Sequence, residues 1–169
     1  MPQQVDITTI DAPLQAARDL AGEGVLTQVQ PSAQHIADVA FCAPIVWRLS
    51  EMNIGKAVAI KECEVIAVEA IEGTDAMIRR AGQLCPSGKW LLATVAKPGQ
   101  TANSKLPSVS VQTIEQLKAG GGSCLAVEAH KVILLDKPRL LSVANRAGVV
   151  VMGIKPHRLL TGNTSGATF

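Results

Sequence analysis

Four consecutive residues, Glu72, Gly73, Thr74 and Asp75, have the types and spacing to handle a charged oxygen ligand. They follow a β-branched run and precede an amphipathic one, so a strand leads through Gly73 into a helix beginning at Thr74. A helix start presents backbone N–H groups without partners, and that geometry favours an anion such as a diphosphate. Glu72 and Asp75 would repel the same anion. A Mg²⁺ ion between the carboxylates and the phosphate oxygens removes the conflict, because it takes oxygen ligands and commonly uses one or two carboxylates plus substrate. The plainer alternative is that Thr74 and Asp75 cap a helix, as such residues do in most proteins. Spacing alone leaves both readings open and weighs toward the cap.

Other chemistry-bearing residues are scattered. His35, His130 and His157 fall on unrelated segments, which argues against a histidine metal site or a nucleophilic triad. His130 suits an unusual turn conformation better than chemistry. Gly120-Gly121-Gly122-Ser123 lacks the Gly-Lys-Ser/Thr of a phosphate loop and follows a helical pattern, so it reads as a helix stop. Cys42, Cys63, Cys85 and Cys124 show no zinc spacing and are expected to be buried, reduced side chains.

The elements that must position Glu72 to Asp75 follow from hydrophobic period. Ala33 to Glu51 has helical spacing with Ser32 at its cap, and Pro44 inside it is expected to kink or divide it. Lys56–Lys61 and Val65–Ala70 read as strands of a hairpin around Glu62-Cys63-Glu64. Thr74 to Cys85 reads as a helix with Thr74 at its cap, Asp75 complementing the N-terminal dipole and Pro86 closing it. Trp90–Val95 is a strand, Val111–Ala119 a helix, and Cys124–Val127 and Val132–Leu135 strands paired around Ala129-His130-Lys131. Lys137–Ala147 is the last helix, stopped by Gly148, and Val149–Ile154 the last strand. Ala67-Val68-Glu69-Ala70 recurs as Ala126-Val127-Glu128-Ala129, which sets two glutamates at equivalent strand ends. The pattern predicts one α/β (α+β) domain, a mixed sheet covered by helices. Residues 1–30 form an N-terminal extension with a short helix at Pro13–Ala21, residues 31–154 the domain, and residues 155–169 a tail expected to be disordered.

Composition bounds the function. A chain of 169 residues that is 47% hydrophobic and 18% charged has room for one sizeable core. With 2% aromatics and no Tyr, that core must be built of Val, Ile, Leu and Ala. A net charge of +2, spread along the chain, gives no reason to expect nucleic acid. No stretch reaches the roughly 20 apolar residues of a membrane span, and the start lacks a secretory pattern, so a cytoplasmic protein is expected.

Val68-Glu69-Ala70-Ile71-Glu72-Gly73-Thr74-Asp75, followed by Ile78-Arg79-Arg80-Ala81-Gly82, resembles the signature VEAIEGTD of the LpxI-type UDP-2,3-diacylglucosamine pyrophosphatases. Gly24-Val25-Leu26-Thr27, Asn53-Ile54-Gly55-Lys56, Val95-Ala96-Lys97-Pro98-Gly99-Gln100 and Ala126-Val127-Glu128-Ala129 extend the resemblance over residues 23–154 of what looks like that family's C-terminal domain. The resemblance implies Mg²⁺-dependent hydrolysis of the diphosphate in UDP-2,3-diacylglucosamine, a step of lipid A synthesis. It also implies an N-terminal domain with substrate held between the two; nothing resembling that domain is read in residues 1–30.

The family's active-site loop looks like KPxQDxRFDxPTIG, and here the run from Lys97 to Ser110 departs from it. Thr101 and Lys105 stand at the two acidic positions. Losing a metal ligand or base commonly costs about 10² to 10⁴ in rate. Lys105 could instead act as a point-charge phosphate binder, with Lys97 and Gln100 supporting such a site, or the loop is merely solvated and has drifted. Gly73, Thr74, Asp75, Lys97 and Gln100 are therefore the candidate substrate-binding residues, with Glu72 and Asp75 the candidate Mg²⁺ ligands. The catalytic residue is left unassigned.

Three functions follow as expectations. The first is a catalytically impaired, stand-alone binding or assembly module, expected as a homodimer. The second is an active Mg²⁺-dependent pyrophosphatase completed by a separate N-terminal partner. The third is a nucleotide-sugar sensor using the same turn.

Overall fold

Strand β4 (Trp90–Thr94) is buried along its whole length and serves two cores, because successive side chains of a strand point to opposite faces. The structure, a computed structural model, describes residues 19–100 and 106–156. On one face, Trp90 and Leu92 pack among Met77, Ile78, Ile114, Leu117 and Leu140. On the other, Leu91 and Ala93 meet Cys42 and Val46. Fully burying an apolar side chain of this size is worth about 1.5–3 kcal/mol.

Helix α1 (Ala33–Glu51) covers the second face. Its cap is as expected: the Ser32 hydroxyl accepts from the His35 N–H at 3.1 Å, and the Ser32 N–H donates to His35 Nδ1 at 3.3 Å. Pro44 does not divide the helix. It deprives the Ala40 carbonyl of its helical donor, but Ala40 is exposed and water can take that place. Helices α2 (Thr74–Leu84), α3 (Val111–Ala119) and α4 (Lys137–Ala147) cover the first face. Gly148, at φ 68°, ends α4 as expected.

The six-stranded sheet runs β1 (Gly24–Val25), β8 (Val150–Ile154), β6 (Gly122–Glu128), β4, β2 (Ala57–Lys61), β3 (Glu64–Val68). β4, β6 and β8 are parallel; β2 is antiparallel to both β3 and β4, and β1 is antiparallel to β8. The sheet is therefore mixed, and it reaches back to Gly24, inside the stretch read as an extension. Glu62 and Cys63, at φ 53° and 59°, make the tight β2–β3 turn, and two left-handed residues match the twist of such hairpins.

Three expectations are corrected. Val132–Leu135 does not form a hairpin with β6; β7 (Ile133–Leu134) pairs in parallel with β5 (Ser108–Val109) in a separate two-stranded sheet. Both edges of β6 are occupied by β4 and β8, so the chain turns out of the sheet, with the Lys131 and Val132 N–H groups donating to the Glu128 carbonyl and His130 at φ 61°. Cys63 is exposed, because it sits in the hairpin turn, whereas Cys42, Cys85 and Cys124 are buried. Asp19 is helical, but Leu20 forms an antiparallel bridge with Ile133, so the expected helix does not run to Ala21. The rest of the expected Pro13–Ala21 helix before Asp19, Thr101, Lys105, His157 and the tail from 157 lie outside the described residues.

Candidate functional site

The parallel strands β4, β6 and β8 end together, and α/β proteins bind ligands where such strands end. At this end the sheet forms one continuous row. The Glu69 N–H donates to the Ala57 carbonyl, the Val95 N–H to the Lys56 carbonyl, and the Ala129 N–H to the Ile154 carbonyl. Two buried carboxylates complete the row. Glu69 Oε2 accepts from the Lys56 N–H at 3.3 Å, and Glu128 Oε2 accepts from the Ala96 N–H at 2.9 Å. These are the two glutamates of the repeated Ala-Val-Glu-Ala. Gly55, just before Lys56, can carry no side chain, since a Cβ there would lie 1.8 Å from the Glu69 carbonyl oxygen.

The start of α2 differs from the expected cap. Gly73 is the N-cap, at φ 84° and ψ 164°, and supplies no side-chain hydrogen bond; Thr74 is the first helical residue. The Thr74 hydroxyl donates instead to Glu69 Oε1 at 3.0 Å, which ties the helix start to the end of β3. Asp75 stands in the first turn as expected. Thr74 and Asp75 therefore leave the helix start without a side-chain cap.

Gly73, Thr74 and Asp75 line a cleft of about 330 Å³ with Glu72, Lys56, Thr94, Pro107, Ser108 and Thr113. Ser108 and Val109 of β5 and Thr113 in the first turn of α3 also line it, so the first turns of two helices border one space. Glu72 is not free in this cleft. It pairs with the Arg80 guanidinium, which also donates to the Val68 carbonyl at 2.8 Å, and Arg80 holds its carboxyl below the usual range.

Lys97 and Gln100 line a neighbouring cleft of about 300 Å³ with Lys56, Leu106, Pro107 and Ser108. Pro98 followed by Gly99 at φ 78°, with the Gln100 N–H donating to the Lys97 carbonyl at 3.2 Å, makes a type II turn. Gln100 Oε1 accepts from the Lys97 N–H at 2.8 Å, so much of this residue's polarity shapes the turn. The Lys97 ammonium donates to Asn53 Oδ1 at 2.9 Å, and Lys131 donates to the Gln100 carbonyl at 3.2 Å.

Residues 22–152 match the LpxI C-terminal domain family. The chain belongs to this family. A curated relative, the UDP-2,3-diacylglucosamine pyrophosphatase LpxI of Caulobacter vibrioides, is 30% identical over 156 residues, which cover 85% of this chain and 56% of that protein. The chain thus spans little more than half the length of that relative.

Within this LpxI C-terminal domain, the structure gathers Glu72 to Asp75, Lys97 and Gln100 at one end of the sheet, in two clefts that share Lys56, Pro107 and Ser108. Sequence reading did not single out Lys56 or Thr94. The short run Asn53-Ile54-Gly55-Lys56 was visible, but nothing in it shows that β2 starts where β4 ends. His35 and Ser123 meet at the far end of the sheet, with 2.9 Å between Nε2 and Oγ. The Ser32 N–H occupies Nδ1 as an acceptor, so the proton resides on Nε2 and the ring cannot take one from Ser123. Among the described residues, no three of His, Cys, Asp and Glu converge as a metal cluster, and no helix is long and apolar enough to cross a membrane.

Proposed function

We propose that this LpxI C-terminal domain binds the diphosphate of UDP-2,3-diacylglucosamine, or a closely related UDP-sugar, and by itself hydrolyses it poorly or not at all. The supporting observation is the first cleft: an α2 start at Gly73 and Thr74 without a side-chain cap, and Lys56 beside it. These groups place N–H donors and a cation around one space, as an anionic ligand requires. Lys97 extends that positive lining into the second cleft.

Glu72 and Asp75 suit Mg²⁺ in kind, being hard oxygen donors bordering the cleft, with phosphate oxygens and water completing its coordination. Such an ion would polarise the diphosphate and offset its charge. The Arg80 guanidinium engages Glu72 Oε1, so a metal ion would take the other carboxylate oxygen or displace Arg80. Poor turnover follows from Lys105, an ammonium where the family resemblance has an aspartate.

A second reading is an active hydrolase completed by a further domain, and the greater length of the Caulobacter vibrioides relative favours it. Both readings accommodate a homodimer, for which exposed Ile36 and Phe41 on α1 offer apolar surface. Release of UMP from UDP-2,3-diacylglucosamine, followed with and without Mg²⁺, tests the proposal. The isolated chain should show no sustained turnover. Sustained Mg²⁺-dependent release would overturn the impaired reading, and a rise on Lys105→Asp would favour the completed hydrolase.

A further inference from the structure

Resting on the UDP-sugar reading above, we propose that the Lys56 ammonium is a single cation shared by both clefts, holding the two phosphate groups of one diphosphate across them. Among the described residues, Lys56 is the one charged residue that lines both spaces. Of the two lysines that line the clefts among the described residues, Lys97 is engaged by Asn53 Oδ1 at 2.9 Å. The Lys56 ammonium has no hydrogen-bond or ion-pair partner among the described residues, although Glu72 and Asp75 border the same cleft.

The backbone of Lys56 is fixed more firmly than a surface lysine requires. Its N–H is held by the buried Glu69 carboxylate, its carbonyl by the Val95 N–H at 2.9 Å, and Gly55 before it admits no side chain. The same carboxylate takes the Thr74 hydroxyl at 3.0 Å. One buried group therefore sets both the root of the lysine and the start of α2. An ammonium has rotatable donors and acts as a point charge, which suits oxygens on two neighbouring phosphates. A monophosphate has only one such group, so Lys56 should contribute selectively to diphosphates.

The test is calorimetric titration of the chain with UDP, inorganic pyrophosphate and UMP in the presence of Mg²⁺. The chain should bind UDP more tightly than UMP. Lys56→Met should weaken UDP and pyrophosphate by about 10- to 100-fold, the worth of a charge-assisted hydrogen bond, and UMP far less. Lys56→Arg, which keeps the charge, should retain most of the preference for UDP. If Lys56→Met does not fold, as judged by circular dichroism, Lys56→Gln is read in the same way. Unchanged UDP affinity in the folded variant, or an equal loss for UDP and UMP, would overturn the shared-cation assignment and leave the UDP-sugar reading standing. Failure of the unaltered chain to bind UDP and pyrophosphate would overturn both.

Discussion

The Thr74 hydroxyl donates to Glu69 Oε1 at 3.0 Å, while the other oxygen of that carboxylate holds the Lys56 N–H. A carboxylate that is 5% exposed thus joins three chain segments at the mouth of the first cleft. Replacing it leaves a buried donor without an acceptor. Glu69→Gln should cost about 1–3 kcal/mol in urea unfolding, while Thr74→Ser, which keeps the hydroxyl, should cost much less. Equal effects would show that the carboxylate is not the joint.

Close approach makes a second prediction at the same place. A Cβ on residue 55 would overlap the Glu69 carbonyl at 1.8 Å, and backbone cannot yield as a flexible side chain does. Gly55→Ala should destabilise the domain by about 1–3 kcal/mol or more. At Gly148 no atom lies within 4 Å of a Cβ, but its φ of 68° strains any side chain, so Gly148→Ala should cost only about 1 kcal/mol. A larger loss at Gly148 than at Gly55 would contradict the geometry.

Acid should weaken α1 through His35. Burial pushes its pKa below the ordinary 6.5, with Asp38 opposing in part. The unfolded chain therefore takes up the proton first. Stability is fully present above about pH 6.5 and falls as the pH drops below it, since a protonated ring can no longer accept the Ser32 N–H. His35→Gln should flatten the dependence of the urea midpoint on pH between about 7 and 5. An unaltered slope would assign the effect to other groups.

The thiols should separate cleanly. Burial pushes Cys42 and Cys124 up to about 12, and Cys85 is buried as well, so none of these should react in the native state. Cys63 is exposed in the β2–β3 turn, but partial desolvation by its neighbours and the Asp38 carboxylate raise its pKa, so it should react slowly. Native labelling with a disulfide reagent should reach Cys63 first, and Cys63→Ser should abolish the fastest phase. Fast labelling of Cys42 or Cys124 would mean that α1 opens from the sheet.

The periods of two and 3.6 made the elements legible, because each lays one face on a core: Leu91 and Ala93 against Cys42 and Val46, Met77 and Ile78 against Trp90. Pairing was less legible. Nothing local to Ile133 says that β6 already has neighbours on both sides, and its true partner, Ser108, comes from an earlier loop. The strand-to-helix turn from Glu72 to Asp75 is legible, but Thr74 reads as a cap because its acceptor on Glu69 belongs to the fold rather than to the helix. Glu69 and Glu128 appeared only as a short echo of common residues. Their partners, the Lys56 and Ala96 N–H groups, are 13 and 32 positions away, beyond the reach of any local pattern.

The site claim is tested most directly by amide chemical-shift perturbation of the ¹⁵N-labelled chain on titration with UDP and Mg²⁺. The account predicts saturable shifts concentrated at Lys56, Gly73 to Asp75 and Lys97 to Gln100. Shifts centred instead on the groove of Arg79, Gln83, Gln116 and Gly121, or no shifts at all, would contradict it.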